Sequence, residues 1–236
     1  MCGRYSITTA PEALRRLFAF EELPNLAPRF NVAPTEAVPA VRRDAEGRRH
    51  LALLRWGLVP FWARDLAVGA KMINARAESL AEKPAFRQAF AKRRCLLPAD
   101  GFYEWQGRKA PKQPYRIEFA ERRPFAFAGL WERWREKTAE GGEGRTVESV
   151  TIVTTAANRT LAPLHERMPV IVAPGDFGLW LDPASAPAAL EGLLRPYPDA
   201  GGAYGALGCY AISTAINKAG RDEPGLIEPL EGARLL

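Results

Sequence analysis

Apolar and polar residues along this 236-residue chain alternate with a period of two far more often than with a helical period, and the alternating runs are short. Residues 37–43 and 50–56 predict two paired strands, with Asp44-Ala45-Glu46-Gly47 as the turn between them. Further strands are predicted over residues 93–99, 101–105, 114–119, 124–131, 147–155, 169–172 and 210–216. Helical spacing is confined to a few places. In residues 11–20 Leu14, Leu17 and Phe18 share one face, and Thr9 is a candidate cap. A helix over 78–88 is interrupted at Pro84, and short helices fit 176–181 and 186–194. The stretch around Pro34 is expected to be irregular, and the glycine-rich residues 136–145 an exposed loop. Many short strands with few helices predict an α+β fold, β-rich, with sheets curled toward a barrel and a few short peripheral helices. With no repeat or linker in the chain, residues 1–236 are expected to form one domain.

Composition narrows the function classes. The formal net charge of +6 is compatible with a polyanionic partner without requiring one. Cys2, Cys95 and Cys209 lie far apart with no CxxC spacing, so neither a zinc site nor a disulfide framework is indicated and a reducing compartment is expected. The N-terminus is interrupted by Arg4, Arg15 and Arg16, and no apolar run reaches membrane-spanning length. The expectation is a cytoplasmic monomer that needs no metal or organic cofactor.

The chemistry-bearing positions begin with Cys2. Removal of Met1 is favoured by a small second side chain, and would leave a free α-amine and a thiol on adjacent carbons. Reference pKa values of about 7.7–8.0 and 8.5 put a useful fraction of each in its reactive form near neutrality. A cysteine there also packs as a small buried hydrophobe, and position alone leaves both readings open. Glu104 lies among Phe102, Tyr103 and Trp105, where a lowered dielectric would raise its pKa into the range of a proton donor and acceptor. Period-two alternation equally allows it to face solvent. His165 lies in a proline-bounded loop ahead of an apolar strand, a setting for functional or structural histidines alike, whereas His50, between arginines in a hairpin, reads as a surface residue. Asn74 and Arg76 share a face of an extended segment that suits a phosphate or an N-terminus. Arg4, Arg42, Arg43, Arg93 and Arg94, with Trp56, Phe61 and Trp62, supply the cations and rings expected of a single-strand binder.

Taken together these segments resemble a known family. Met1-Cys2-Gly3-Arg4-Tyr5, Asn31-Val32-Ala33-Pro34-Thr35, Trp56-Gly57-Leu58-Val59-Pro60-Phe61-Trp62, Asn74-Ala75-Arg76-Ala77-Glu78, Pro98-Ala99-Asp100-Gly101-Phe102-Tyr103-Glu104-Trp105 and His165-Glu166-Arg167-Met168-Pro169 follow the order of the SOS-response-associated peptidase family. The resemblance runs from Cys2 to about Leu230. It implies a protein of the DNA-damage response that binds single-stranded DNA, captures abasic sites through a thiazolidine at Cys2, and has weak lyase and self-processing peptidase activities. It implies catalytic roles for Cys2, Asn74, Glu104 and His165, DNA-backbone contacts at Arg4 and Arg76, and strand-lining positions at Pro34 and Trp62. Two departures stand out. Ala63 replaces a second aromatic, which predicts a smaller stacking wedge, and residues 216–221 lack a second asparagine. The rival readings are a cysteine peptidase or amidase with Cys2 as nucleophile and His165 as base, and a non-catalytic single-strand binder.

Overall fold

The computed structural model describes residues 2–107, 112–137 and 143–232. Thirteen strands and four short α-helices follow one another in the order β1 (Tyr5–Ile7), α1 (Pro11–Phe18), β2 (Arg29–Val32), β3 (Ala37–Arg43), β4 (Arg49–Trp56), β5 (Asn74–Arg76), α2 (Arg87–Lys92), β6 (Arg94–Ala99), β7 (Gly101–Gln106), β8 (Gln113–Phe119), β9 (Phe125–Lys137), β10 (Glu143–Ala156), β11 (Arg167–Pro169), β12 (Ile171–Val172), α3 (Phe177–Leu181), α4 (Pro187–Leu193) and β13 (Leu207–Ala211). Strands β10, β4, β3, β6 and β9 pair in that order, and β9 pairs back onto β10, closing a five-stranded barrel. Every pairing in the ring is antiparallel except β10 with β4. β5 and β11 add to the end of β10, and β12 adds to β9. The second sheet is antiparallel, in the order β13-β8-β7-β1-β2. The β-rich, barrel-forming α+β class expected from the pattern is therefore present.

The two sheets share an aromatic seam. Tyr5 of β1 meets Trp56 of β4 and Phe127 of β9 edge-on, with ring centroids 5.3 and 5.8 Å apart. Phe102 of β7 and Phe119 of β8 continue the contact onto Phe127 and Phe125 at 5.9 and 5.1 Å. Edge-to-face pairs of this kind add about 0.5–1.5 kcal/mol each beyond their buried area. Strand alternation then divides β7. Phe102 faces the main core, while Tyr103 and Trp105 pack on the opposite face with Phe30, Tyr210, Ile216 and Leu226. Glu104 shares the Phe102 side.

Several elements differ from expectation. Helix α1 has no side-chain cap, because its N-cap position is Ala10; Thr9 stands one residue earlier, with its hydroxyl on Asp100 at 3.1 Å. Residues 78–88 form no continuous helix, and helical structure resumes only at Arg87, beyond Pro84. Within 136–145, residues 136–137 and 143–145 lie in β9 and β10, whereas 138–142, where much of the expected loop falls, lie outside the described residues. The last strand is displaced to Leu207–Ala211, and Thr214–Asn217 is a 3-10 turn.

β1 is tied down by a buried polar cluster. Asp100, fully buried, accepts hydrogen bonds from the Ser6 hydroxyl (2.6 Å), the Thr8 amide and hydroxyl, and the Thr9 amide and hydroxyl. Arg116, also fully buried, lies 3.5 Å from the Asp100 carboxylate, donates to Ser6 Oγ at 2.8 Å and pairs with Glu118. Its guanidinium lies flat over Gly101, where an added Cβ would come within 2.5 Å of it. Asp100→Ala is expected to cost about 3–5 kcal/mol, because it strips the Ser6, Thr8 and Thr9 donors of their shared acceptor and leaves the buried Arg116 with Glu118 as its one carboxylate neighbour. Gly101→Ala should also destabilise, by displacing that guanidinium. Urea denaturation of both variants tests this, and an unchanged midpoint for either would contradict the clamp.

Candidate functional site

Cys2 lies just ahead of β1, fully buried, where the second sheet meets the end of the barrel. Asn74, on β5 of the barrel, donates from Nδ2 to the Cys2 carbonyl at 2.9 Å. On the other side β1 pairs with β7, with Tyr5 opposite Phe102, and the Tyr103 amide donates to the Arg4 carbonyl at 3.1 Å. That pairing brings Glu104, only 3 % exposed, toward the same region. Burial first, and the Glu104 carboxylate second, push the Cys2 thiol far above its ordinary range, so little thiolate exists near neutrality. The reactive thiolate fraction expected from the reference value is thus corrected by the surroundings. Burial likewise raises the Glu104 carboxyl, which resolves the choice between its inward and outward orientations.

His165 stands two residues before β11, in the turn that follows β10. Its Nδ1 accepts the Arg167 backbone N–H at 2.9 Å, so the neutral ring carries its proton on Nε2. Burial is the main cause that lowers its pKa, which keeps the imidazole neutral at pH 7. Cys2, Asn74 and Glu104, drawn from three separated segments, thus meet at one end of the barrel, and His165 follows β10, the strand on which β5 and Asn74 pair.

The cationic positions divide. Arg4 is half-buried; its Nη1 donates to Asn31 Oδ1 at 2.7 Å and to the Ile216 carbonyl at 3.2 Å. Arg76 is exposed and makes no ion pair among the described residues. Pro34 is partly exposed beside Thr35, a β-branched residue held at φ 74°. By contrast, Arg42, Arg43, Arg93 and Arg94 do not form a patch with these. Arg42 pairs with Glu148, Arg43 with Asp182 and Arg93 with Glu132, while Arg94 is buried against the carbonyls of Phe90, Ala91, Trp180 and Asp182. Trp56 is a core residue, and His50 accepts from Arg42 Nε at 2.8 Å.

Phe61 and Trp62 are large, exposed rings, at 48 % and 47 %. Their loop is fixed at both ends. Gly57 N–H donates to Val150 O, Val59 N–H to Ser149 Oγ, and Trp134 Nε1–H to Ala63 O, all at 2.8 Å. Gly57, at φ 123°, also packs backbone-to-backbone on Gly69, where a Cβ would meet Gly69 O at 2.5 Å. Ala63 is buried with Val59, Trp134 and Val147, so an aromatic at that position is not what the exposed pair lacks.

Comparison with known proteins identifies the family. The family described as SOS response associated peptidase (SRAP) matches residues 1–219. The chain belongs to this family. It is 40 % identical to the abasic site processing protein YoqW of Bacillus subtilis, over 97 % of this chain and 99 % of that one. It is 30 % identical to the abasic site processing protein HMCES of Xenopus tropicalis, over 95 % of this chain and 77 % of that protein. A solved protein from Bordetella bronchiseptica superposes with a TM-score of 0.74 at 30 % identity, covering 90 % of this chain and all of that one. One from Bacteroides thetaiotaomicron shares the fold at TM-score 0.85 and 24 % identity, covering 97 % of this chain and all of that one. Among the described residues no helix is long and apolar enough to cross a membrane.

Sequence reasoning gave Asn31 no role. It is 3 % exposed, accepts from Arg4 and donates from Nδ2 to the carbonyls of Ile216 (3.3 Å), Lys218 (3.4 Å) and Arg221 (2.8 Å). An asparagine ahead of an irregular proline stretch was the available signal. In this SRAP chain Asn31→Ala removes the acceptor of one Arg4 N–H and the donor to the Lys218 and Arg221 carbonyls, at a cost of about 1 kcal/mol or more. Chemical denaturation should show that loss, and hydrogen exchange should speed up in residues 216–221. Unchanged exchange there would place the loop's anchorage elsewhere.

Proposed function

We propose that this chain captures abasic sites in single-stranded DNA covalently, through a thiazolidine formed by the α-amine and thiol of Cys2 after Met1 is removed. The observation that carries the reading is the setting of Cys2: its carbonyl is held by Asn74, and its thiol lies in the field of the buried Glu104. The names of the relatives support the lesion, and the exposed Phe61–Trp62 pair supports an unpaired strand. In this reading the protein acts as a single domain and a monomer, with Arg4 and Arg76 on backbone phosphates and Pro34 and Trp62 along the strand.

An abasic sugar is mostly a closed hemiacetal. The neutral His165 offers Nε2–H to the sugar oxygen and polarises it as the ring opens to the aldehyde, a role a neutral imidazole performs elsewhere. Glu104 takes a proton from the Cys2 ammonium. The freed amine attacks the aldehyde carbon to give a carbinolamine, and Glu104 returns the proton as water leaves and the imine forms. The sulfur then adds to the imine carbon, its proton passes to nitrogen, and the five-membered ring closes. One water is lost overall. The amine acts first because burial holds the thiol protonated. The thiol, already on the same residue, needs only an intramolecular step to follow it. The intermediate imine also permits β-elimination, a weak lyase activity with which ring closure competes. A cysteine peptidase would need His165 to accept the thiol proton. Its Nδ1 lone pair is taken by the Arg167 N–H and its Nε2 carries hydrogen, which weighs against that role.

Protein whose intact mass lacks Met1 should form a heat-stable adduct with abasic single-stranded DNA, at the summed mass less one water. Cys2→Ser should give only a labile imine that borohydride traps. A heat-stable adduct from Cys2→Ser without reductant would exclude the thiazolidine.

Glu104→Gln should slow imine formation with any aldehyde, whereas His165→Ala should slow only the reaction of the cyclic sugar. Each defect should fall within the roughly 10²–10⁴-fold range of a proton-transfer catalyst. Single-turnover rates on an abasic strand and on a non-cyclising aldehyde separate the two. Equal losses on both substrates in both variants would defeat this division of labour.

A further inference from the structure

Two residues of the matched segments have no part in the reaction outlined above. Glu78 closes the run that begins at Asn74, and Arg167 stands two positions after His165. They are 89 residues apart in sequence and meet across the end of β10. Arg167 Nη1 and Nη2 donate to the two oxygens of Glu78 at 2.7 and 2.9 Å, and Nη2 also donates to the Thr154 carbonyl at 2.6 Å. Thr154 is the register partner of Arg76 on β5 and of Pro169 on β11, so the guanidinium ties together both flanks of one strand. The Glu78 side chain is 55 % exposed and that of Arg167 12 %. With Glu78 more than half exposed the pair contributes little to global stability, but its double hydrogen bond fixes the orientation of a planar, mostly buried guanidinium.

The other end of Arg167 gives this its consequence. Its backbone N–H is the donor that His165 Nδ1 accepts at 2.9 Å. β11 is only three residues long and lies at the sheet edge, so few ladder bonds hold that N–H in place. We propose that Glu78 is a positioning residue: by clamping the Arg167 side chain it keeps the Arg167 N–H on His165 Nδ1, and so holds His165 in the Nε2–H tautomer. The same pair ties the His165 segment to the strand whose Asn74 holds Cys2. The consequence for capture rests on the role given to His165 above, whereas the tautomer does not. A bond between residues two apart can also form locally, so the deciding question is whether removing Glu78 releases it.

The chain contains two histidines, and the hydrogen bonds place them in opposite tautomers. His50 Nε2 accepts from Arg42, which leaves its proton on Nδ1, so His50 is an internal control. Long-range ¹⁵N–¹H correlation spectra, recorded at a pH where both rings are neutral, report each tautomer. Wild-type protein should show His165 as Nε2–H. Glu78→Ala should move it to a mixture with His50 unchanged, and Glu78→Gln, which keeps one acceptor oxygen, should restore much of the wild-type signal. Thermal melting confirms that both variants are folded. Capture of the cyclic abasic sugar at saturating DNA should slow by about two- to tenfold in Glu78→Ala, less than loss of a proton-transfer group itself, while a non-cyclising aldehyde reacts as before. A pure Nε2–H tautomer in Glu78→Ala overturns the proposal, whatever the rates. A tautomer shift with no change in rate upholds the positioning and instead overturns the role of His165 in capture.

Discussion

A strand of three residues carries the end of the chain to which the proposed chemistry is assigned, and the rest of the architecture compensates for how little such a strand can hold by itself. The β1 ladder offers few backbone bonds to β7 and β2. Position is therefore imposed from all sides. Asp100 gathers Ser6, Thr8 and Thr9 at one end, Asn74 takes the Cys2 carbonyl at the other, and the Tyr5 ring is wedged between Trp56 and Phe127. Asn31 adds a lateral hold through Arg4, and the same amide anchors residues 216–221. Placement of one residue is thus distributed over both sheets, which explains why the matched segments are scattered along the chain.

Burial sets the chemistry as well as the position. A desolvated environment disfavours every charged form, and here it raises the Cys2 thiol and the Glu104 carboxyl while it lowers His165. A site of this kind is poorly suited to a preformed thiolate that attacks an acyl group. Condensation of an amine with an aldehyde has different needs: an uncharged amine, a carboxyl that both gives and takes protons, and a medium from which water is readily expelled. The electrostatics and the proposed reaction agree because both favour neutral species.

The repetitive parts of the fold were legible in the sequence, and the pieces that build the site were mostly not. β3, β4, β6, β7 and β8 stand within about a residue of their predicted bounds, because each is long enough for period-two alternation to register. β1, β5 and β11 have three residues apiece, too few for any period; β1 and β5 bring Cys2 and Asn74 together, and β11 carries Arg167. The glycines of 136–145 suggested a loop, yet β9 runs to Lys137 and β10 begins at Glu143, so among the described residues pairing carries the strands into both ends of that segment. Thr9, a candidate cap along the chain, stands one residue ahead of the N-cap Ala10, and its hydroxyl is taken by Asp100, ninety-odd positions away. Candidate residue types were readable from chemistry. Which arginines were free was not, because Arg94 and Arg76 differ only in what surrounds them.

The stiffness of the Phe61–Trp62 loop bears on how a lesion would be met. Three anchors at 2.8 Å and the contact of Gly57 on Gly69 leave that loop little freedom to fold around a ligand. Two exposed rings held in advance lose little conformational entropy when a base stacks on them. In the proposed complex the adaptation therefore falls to the nucleic acid. A duplex resists it, because its bases are already stacked on one another. An unpaired strand with one base missing does not, since the gap itself interrupts the stack and a planar side chain can occupy the space. The burial of Ala63 sharpens the point: that position seats the loop under Trp134, so in the proposed complex the loop would present Phe61 and Trp62 to the strand.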